Sequence, residues 1–218
     1  MPTLYEMSTV RPLRQDAARN RERLVLAARE TFRRKGLDAP LEEIARAAGV
    51  AIGTLYNRFA SRGELVDAAL GPLAQQAVEL AERAARADDP WLGFASLIED
   101  TCALFASDRG YADVYRSRIP GTPVIAAAQQ RLLALKASIM ARAKRAGVVR
   151  ADVEATDIAL LTWAIVGTMD ATRDAAPDAW RRHLALALDG LRPQAAHPLP
   201  VPPLTPVQLR NSVPSRRA

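Results

Sequence analysis

Thr54, Tyr56, Asn57 and Arg58 are the side chains of this 218-residue sequence whose types and spacing most suggest chemistry. Hydroxyls and arginine bond phosphate oxygens, while asparagine and arginine can fork onto the edges of bases. Leu55 and Phe59, four apart, point the opposite way on a helix, which leaves the polar set facing outward together. Chemistry of other kinds finds little support. His183 and His197 are isolated, and no metal-ligand spacing, Ser-His-Asp set or glycine-rich phosphate loop occurs. The acid pairs Asp88-Asp89 and Glu99-Asp100 read as solvated surface. Cys102 is the sole cysteine, so no intrachain disulfide forms, and its apolar neighbours predict a buried small hydrophobe. No catalytic residue, metal or cofactor is expected, and the chain is not read as an enzyme.

The elements that must position the polar set are two short helices and the turn between them. Leu41, Ile44, Ala45 and Ala48 recur at helical spacing and give the first helix one apolar stripe. Gly49 stands where a helix end needs a left-handed residue, and Val50 plugs the corner. Ile52-Gly53-Thr54 opens the second helix, with Ile52 and Gly53 small or smooth enough to let a groove approach. Two short helices joined by such a turn form a helix-turn-helix unit, whose second helix enters the major groove of DNA.

From about residue 17 to residue 70 the chain resembles the DNA-binding domain of the TetR family of transcriptional regulators. The matching residues begin with Arg21-Glu22-Arg23-Leu24-Val25-Leu26-Ala27-Ala28, Phe32, Gly36 and Ile44-Ala45. They continue through Ala48-Gly49-Val50, Gly53-Thr54-Leu55-Tyr56, Phe59 and Ser61-Arg62-Gly63-Glu64-Leu65. The resemblance covers about a quarter of the chain at full strength; the rest shares only an all-helical layout. It implies that Ile52, Gly53, Thr54, Tyr56, Asn57, Arg58 and Arg62 bind double-stranded DNA, Arg62 through a phosphate. Asp38-Ala39-Pro40 departs from the Thr or Ser that many members carry there, which removes one phosphate contact.

Composition agrees with an all-α protein, since aromatics make up only 5% of the chain and no alternating β-branched run appears. The formal net charge of +6 suits a polyanionic partner. Residues 1–15 read as a flexible basic arm carrying Arg11 and Arg14, and Asp16 is placed to cap the first helix. Residues 16–70 form the three-helix DNA-binding domain with its helix-turn-helix. Residues 71–192 form a helical ligand-binding and dimerisation domain. Gly71-Pro72 should kink or break the fourth helix at that boundary. Residues 193–218, dense in proline, read as a disordered tail unable to form helix.

Within the second domain, Trp91, Phe94, Cys102, Phe105, Tyr111, Tyr115, Trp163 and Met169 are the candidates to line a pocket between helices. The resemblance implies an effector of unknown identity there, whose binding releases the DNA. It also implies a homodimer through the last two helices, with Ile158, Leu161, Ile165, Leu184 and Leu188 as candidate interface residues. A two-fold dimer calls for a pseudo-palindromic operator. The longest apolar run, 158–169, is too short to cross a bilayer, and neither a signal-peptide core nor a membrane role is expected. The expected protein is thus a cytoplasmic, ligand-responsive transcriptional regulator acting as a repressor. The competing reading is a helical small-molecule-binding protein or enzyme without sequence-specific DNA binding.

Overall fold

A computed structural model describes the backbone of residues 6–117, 119 and 121–212, and the side chains from residue 17 to 212 except those of 118, 120 and 195. Pro2, Arg118, Pro120, Pro214, Arg216 and Arg217 lie outside the described residues, as do the side chains of Arg11, Pro12, Arg14 and Asp16. The described residues are all-helical. In chain order the helices are α1 (Glu6–Lys35), α2 (Leu41–Ala47), α3 (Ile52–Arg58), α4 (Arg62–Arg86) and α5 (Pro90–Ser107). They continue with α6 (Arg109–Tyr115), α7 (Pro123–Arg145), α8 (Ala155–Thr172), α9 (Ala179–Gly190) and α10 (Pro206–Ser212).

Local chemistry sets most boundaries. Gly36, with φ of 76°, closes α1, and Gly49, with φ of 66°, closes α2. Ser61 caps α4 by accepting from the Glu64 N–H at 3.1 Å, and the Glu64 carboxylate accepts from the Ala60 N–H at 2.8 Å. The Asp89 carboxylate accepts from the Trp91 and Leu92 N–H groups, and Pro90 supplies a preset first turn to α5. Glu154 and Asp157 bond reciprocally across the start of α8.

One continuous core runs through the described residues, and α4 passes along it. Leu24, Ala28 and Phe32 of α1, Ile44 and Ala45 of α2, Leu55 of α3 and Phe59 pack on Leu65, Val66, Ala69 and Leu70 of α4. The later turns of α4, from Leu73 to Ala84, pack instead with α5 and α7. Side chains at three- and four-residue spacing make this possible, because one face of α4 stays buried along its whole length.

Three expectations differ from the structure. The first helix starts at Glu6, so residues 6–15 are helical rather than an arm; extending a helix already nucleated in a core adds one hydrogen bond per residue fixed. Pro72 does not end α4, which runs through it without a break. Its ring lies on the exposed side while Gly71 is buried against Val124. Proline removes only the bond to the Ala68 carbonyl, which the tertiary packing on both sides outweighs. Finally, the proline-dense tail does contain helix. Pro206 sits at the first turn of α10, and Thr205 and Gln208 exchange side-chain to backbone bonds at 2.8 and 3.2 Å. The chain just after α9 is also tied down: the Arg150 guanidinium donates to the Gly190 and His197 carbonyls, and Arg192 lies 3.9 Å over the Trp91 ring.

Candidate nucleic-acid interface

The turn between α2 and α3 is held by its own backbone. The Val50 N–H donates to the Ala45 carbonyl and the Gly49 N–H to the Arg46 carbonyl, both at 3.0 Å. Leu55 and Phe59 are 2% and 1% exposed and anchor α3 to the core. The helix then has one outer face. Tyr56 is 58% exposed, Asn57 and Arg58 are exposed beside it, and Thr54 and Ile52 are half-buried at its edge. Among the described residues no ion pair engages Arg58, whereas Arg33 and Arg34 are paired with Glu30 and Lys35 with Glu43. The α3 guanidinium is therefore available to an outside acceptor.

Gly53 adds an independent observation. A Cβ there would meet nothing within 4 Å, and its φ is not positive. Glycine inside a helix costs about 0.5–1 kcal/mol relative to alanine. The fold gives no reason for that cost, but a surface brought up close from outside would.

Arg62 departs from expectation. Its guanidinium turns inward, donating to the Leu37 carbonyl and to the Ala39 carbonyl at 2.7 Å, and lies 5.9 Å from the Phe32 ring. A residue at the start of a helix is a poor neighbour for a cation, and the two loop carbonyls supply the compensation. The departure from Thr or Ser at 38–40 thus goes with a loop whose carbonyls are bound from within. Cations that the sequence left unassigned also flank α3: Arg21 lies 5.2 Å over the Phe59 ring, and Arg23 reaches the turn at Gly49.

The aromatic candidates of the second half fall into two groups. Phe105 packs on Tyr111 and Tyr115, with ring centroids 5.9 and 4.7 Å away. Trp91 and Phe94 form a separate pair at 6.0 Å, covered by Arg192. Cys102, Phe94, Phe105, Tyr111 and Met169 are buried, while Trp91, Tyr115 and Trp163 are half-buried. Burial pushes the Cys102 thiol up to about 12, so at neutral pH it stays protonated and unreactive. Burial likewise raises the Tyr111 hydroxyl. The sequence did not single out Lys136, yet its ammonium sits 4.8 Å over the Tyr115 ring and 3.5 Å from the Tyr115 hydroxyl. Among the described residues the buried indole N–H of Trp163 has no hydrogen-bond partner, and neither has the Thr156 hydroxyl.

The candidate interface residues split by direction. Ile165, Leu184 and Leu188 are buried in the chain's own core and cannot face a second copy; Ile158 and Leu161 are half-buried. The outer face of α8 carries instead Leu160, Ala164, Gly167 and Ala171, and that of α9 carries Leu186, 59% exposed. Apolar residues recur on both sides of α8, so periodicity alone could not choose its face.

Residues 24–69 match the family model of bacterial regulatory proteins of the tetR family. Residues 89–193 match the C-terminal domain of SbtR-like transcriptional regulators. A TetR transcriptional regulator of Streptomyces coelicolor is 30% identical, with a TM-score of 0.52 over 80% of this chain and 99% of its own. PfmR, a TetR-family regulator of Thermus thermophilus, is 23% identical with a TM-score of 0.53, covering 78% of this chain and 98% of its own. FadR of Bacillus subtilis, solved in complex with stearoyl-CoA, shares the fold at 19% identity, with a TM-score of 0.57 over 81% of this chain and 99% of its own.

Proposed function

The chain belongs to the TetR family of transcriptional regulators, and from that premise we propose that it is a repressor that binds a pseudo-palindromic operator as a homodimer. The observation that carries this reading is the outer face of α3. Tyr56, Asn57 and Arg58 stand exposed on a helix fixed from behind by Leu55 and Phe59, with Gly53 open to close approach. In a major groove, Arg58 and Asn57 present forked donors to base edges, and Thr54 and Tyr56 present hydroxyls to phosphates. Arg62 acts from behind, holding the loop that leads into α2, rather than on a phosphate.

Two copies would join through the outer faces of α8 and α9. Leu160 and Leu186 supply the apolar area, and Gly167, whose Cβ position is empty to 4 Å, lets a partner helix approach closely. Such a dimer presents its two α3 helices to successive major grooves about 34–36 Å apart. A small molecule entering at the Phe105, Tyr111 and Tyr115 cluster would meet Lys136 as its polar contact and release the DNA. Its effect requires different affinities for the bound and free states. The cytoplasm is the compartment in which such a regulator meets its operator, and the protein performs no catalysis.

The test is DNA binding at two salt concentrations, using sites recovered by selection from random sequence against scrambled competitor. Selective binding that weakens steeply with salt, and falls by roughly a hundred-fold in Tyr56→Ala with Arg58→Ala, is the expected result. Recovery of no common motif would overturn the reading.

A further inference from the structure

The turn that leads into the helix-turn-helix is built around a side chain of the other half of the molecule. The buried Asp113 of α6 accepts the Leu37 N–H at 2.9 Å through Oδ2. A Cβ on Gly36 would lie 2.5 Å from that same oxygen. The carbonyl of Leu37 is held from the other side by Arg62 of α4. Leu37, ahead of α2, is therefore held on both sides, its N–H by α6 and its carbonyl by α4. The backbone of α6 is itself pressed onto α1, since a Cβ on Gly110 would fall 2.8 Å from the Phe32 Cβ.

The second oxygen of Asp113 faces the opposite way. Oδ1 accepts from Arg116 at 3.3 Å, and the same Arg116 nitrogen lies 3.5 Å from Oδ2 of Asp170 on α8. Asp170 in turn accepts from Arg173 at 2.8 Å. These groups form a polar chain from α8, the helix whose outer face is assigned above to the dimer, to the turn that aims α2 and α3. The carboxylate of Asp113 is shared between a backbone N–H and a guanidinium, so moving either partner disturbs the other. Such half-buried, charge-assisted bonds have defined directions and hold an angle rather than merely adding attraction.

We propose that Asp113 is a positioning residue for operator binding: by linking the 36–40 turn to α8 through Arg116, it sets the angle of each α3 to the dimer axis and hence the half-site spacing the protein accepts. The assignment rests on the dimeric, operator-binding function proposed above. It is distinct from a path through α4, because α6 touches the turn directly. Adding one base pair between half-sites rotates one relative to the other by about 35°, since B-DNA turns once in 10–10.5 base pairs. A rigid link therefore rejects altered spacings, and a severed one tolerates them.

The experiment uses the full-length protein and its selected operator, together with the same half-sites moved apart or together by one and two base pairs. The wild type is expected to favour one spacing by roughly ten-fold or more, equivalent to about 1.4 kcal/mol. Asp113→Ala should flatten that preference. Arg116→Met breaks the link to α8 but spares the Asp113 bond to Leu37, and it should flatten the preference as well while its affinity for an isolated half-site stays unchanged. It decides the matter if Asp113→Ala fails to fold. An equal loss at every spacing, with the preference kept, would mean that Asp113 merely holds the halves together and would overturn the assignment. A wild type that selects no DNA at all would remove the proposed function first, an outcome distinguishable from the others.

Discussion

Helices α3 and α8 each carry an exposed glycine that the fold does not require, Gly53 in one and Gly167 in the other. Their surroundings differ in kind. Around Gly53 stand Thr54, Tyr56, Asn57 and Arg58; around Gly167 stand Leu160, Ala164 and Ala171, with Leu186 across on α9. Both helices bury one face and keep another that intramolecular packing leaves unused. On the function proposed above, the chemistry of each unused face matches what would cover it: a hydrated, charged groove for α3, and apolar protein surface for α8. An exposed leucine alone means little, and it gains meaning here from the empty glycine beside it.

The comparison can be broken most severely at α8 and α9. Leu160→Glu with Leu186→Glu should leave a monomer by light scattering. Operator affinity should then fall by about a thousand-fold, since two linked half-sites become independent. Inward-facing Leu184→Ala should instead cost about 2–5 kcal/mol in denaturant unfolding. At α3, Tyr56→Ala with Arg58→Ala should weaken operator binding by roughly a hundred-fold without lowering the thermal midpoint. Gly36→Ala should destabilise the protein by about 1–3 kcal/mol, because it meets both a positive φ and the Asp113 carboxylate.

Smaller effects sharpen the contrast further. Arg58→Ala should lose about ten-fold in preference for the base it reads, measured by selection from random sequence, while Arg62→Ala should leave that preference unchanged and lower stability instead. Smallest of all, Gly53→Ala and Gly167→Ala should each stabilise the helix by about 0.5–1 kcal/mol. The first should weaken DNA binding and the second dimerisation, each read by titration. Gains without those losses would undo the parallel between the two helices.

The sequence made α3 readable for a physical reason. Polar residues between Leu55 and Phe59 can face only away from the core, so type and spacing together fix direction. On α8 apolar residues recur on nearly every side, and hydrophobicity could not separate Ile165, which is buried, from Leu160, which is not; on α9 the four-residue spacing of Trp180, Leu184 and Leu188 did mark the buried face, with Leu186 outside it. The inward turn of Arg62 was hidden for another reason: its partners are the carbonyls of Leu37 and Ala39, and backbone acceptors carry no residue signature. Lys136 was unreadable likewise, because Tyr115 lies on a different helix. The coherent helix of the tail came from Thr205 and Gln208, whose local bonds were outvoted by the count of prolines.

The proline within α4 has a mechanical meaning. A helix buried along one face for its whole length behaves as a braced beam, stiff because its turns are held by their neighbours. Removing the bond to the Ala68 carbonyl lowers the bending stiffness at one section only, where Gly71 rests on Val124 and the proline ring faces water. Strain imposed on the distal segment should therefore concentrate at that flexure, just past the Asp67 carboxylate that ties α4 to the Val124 and Ile125 N–H groups at the start of α7.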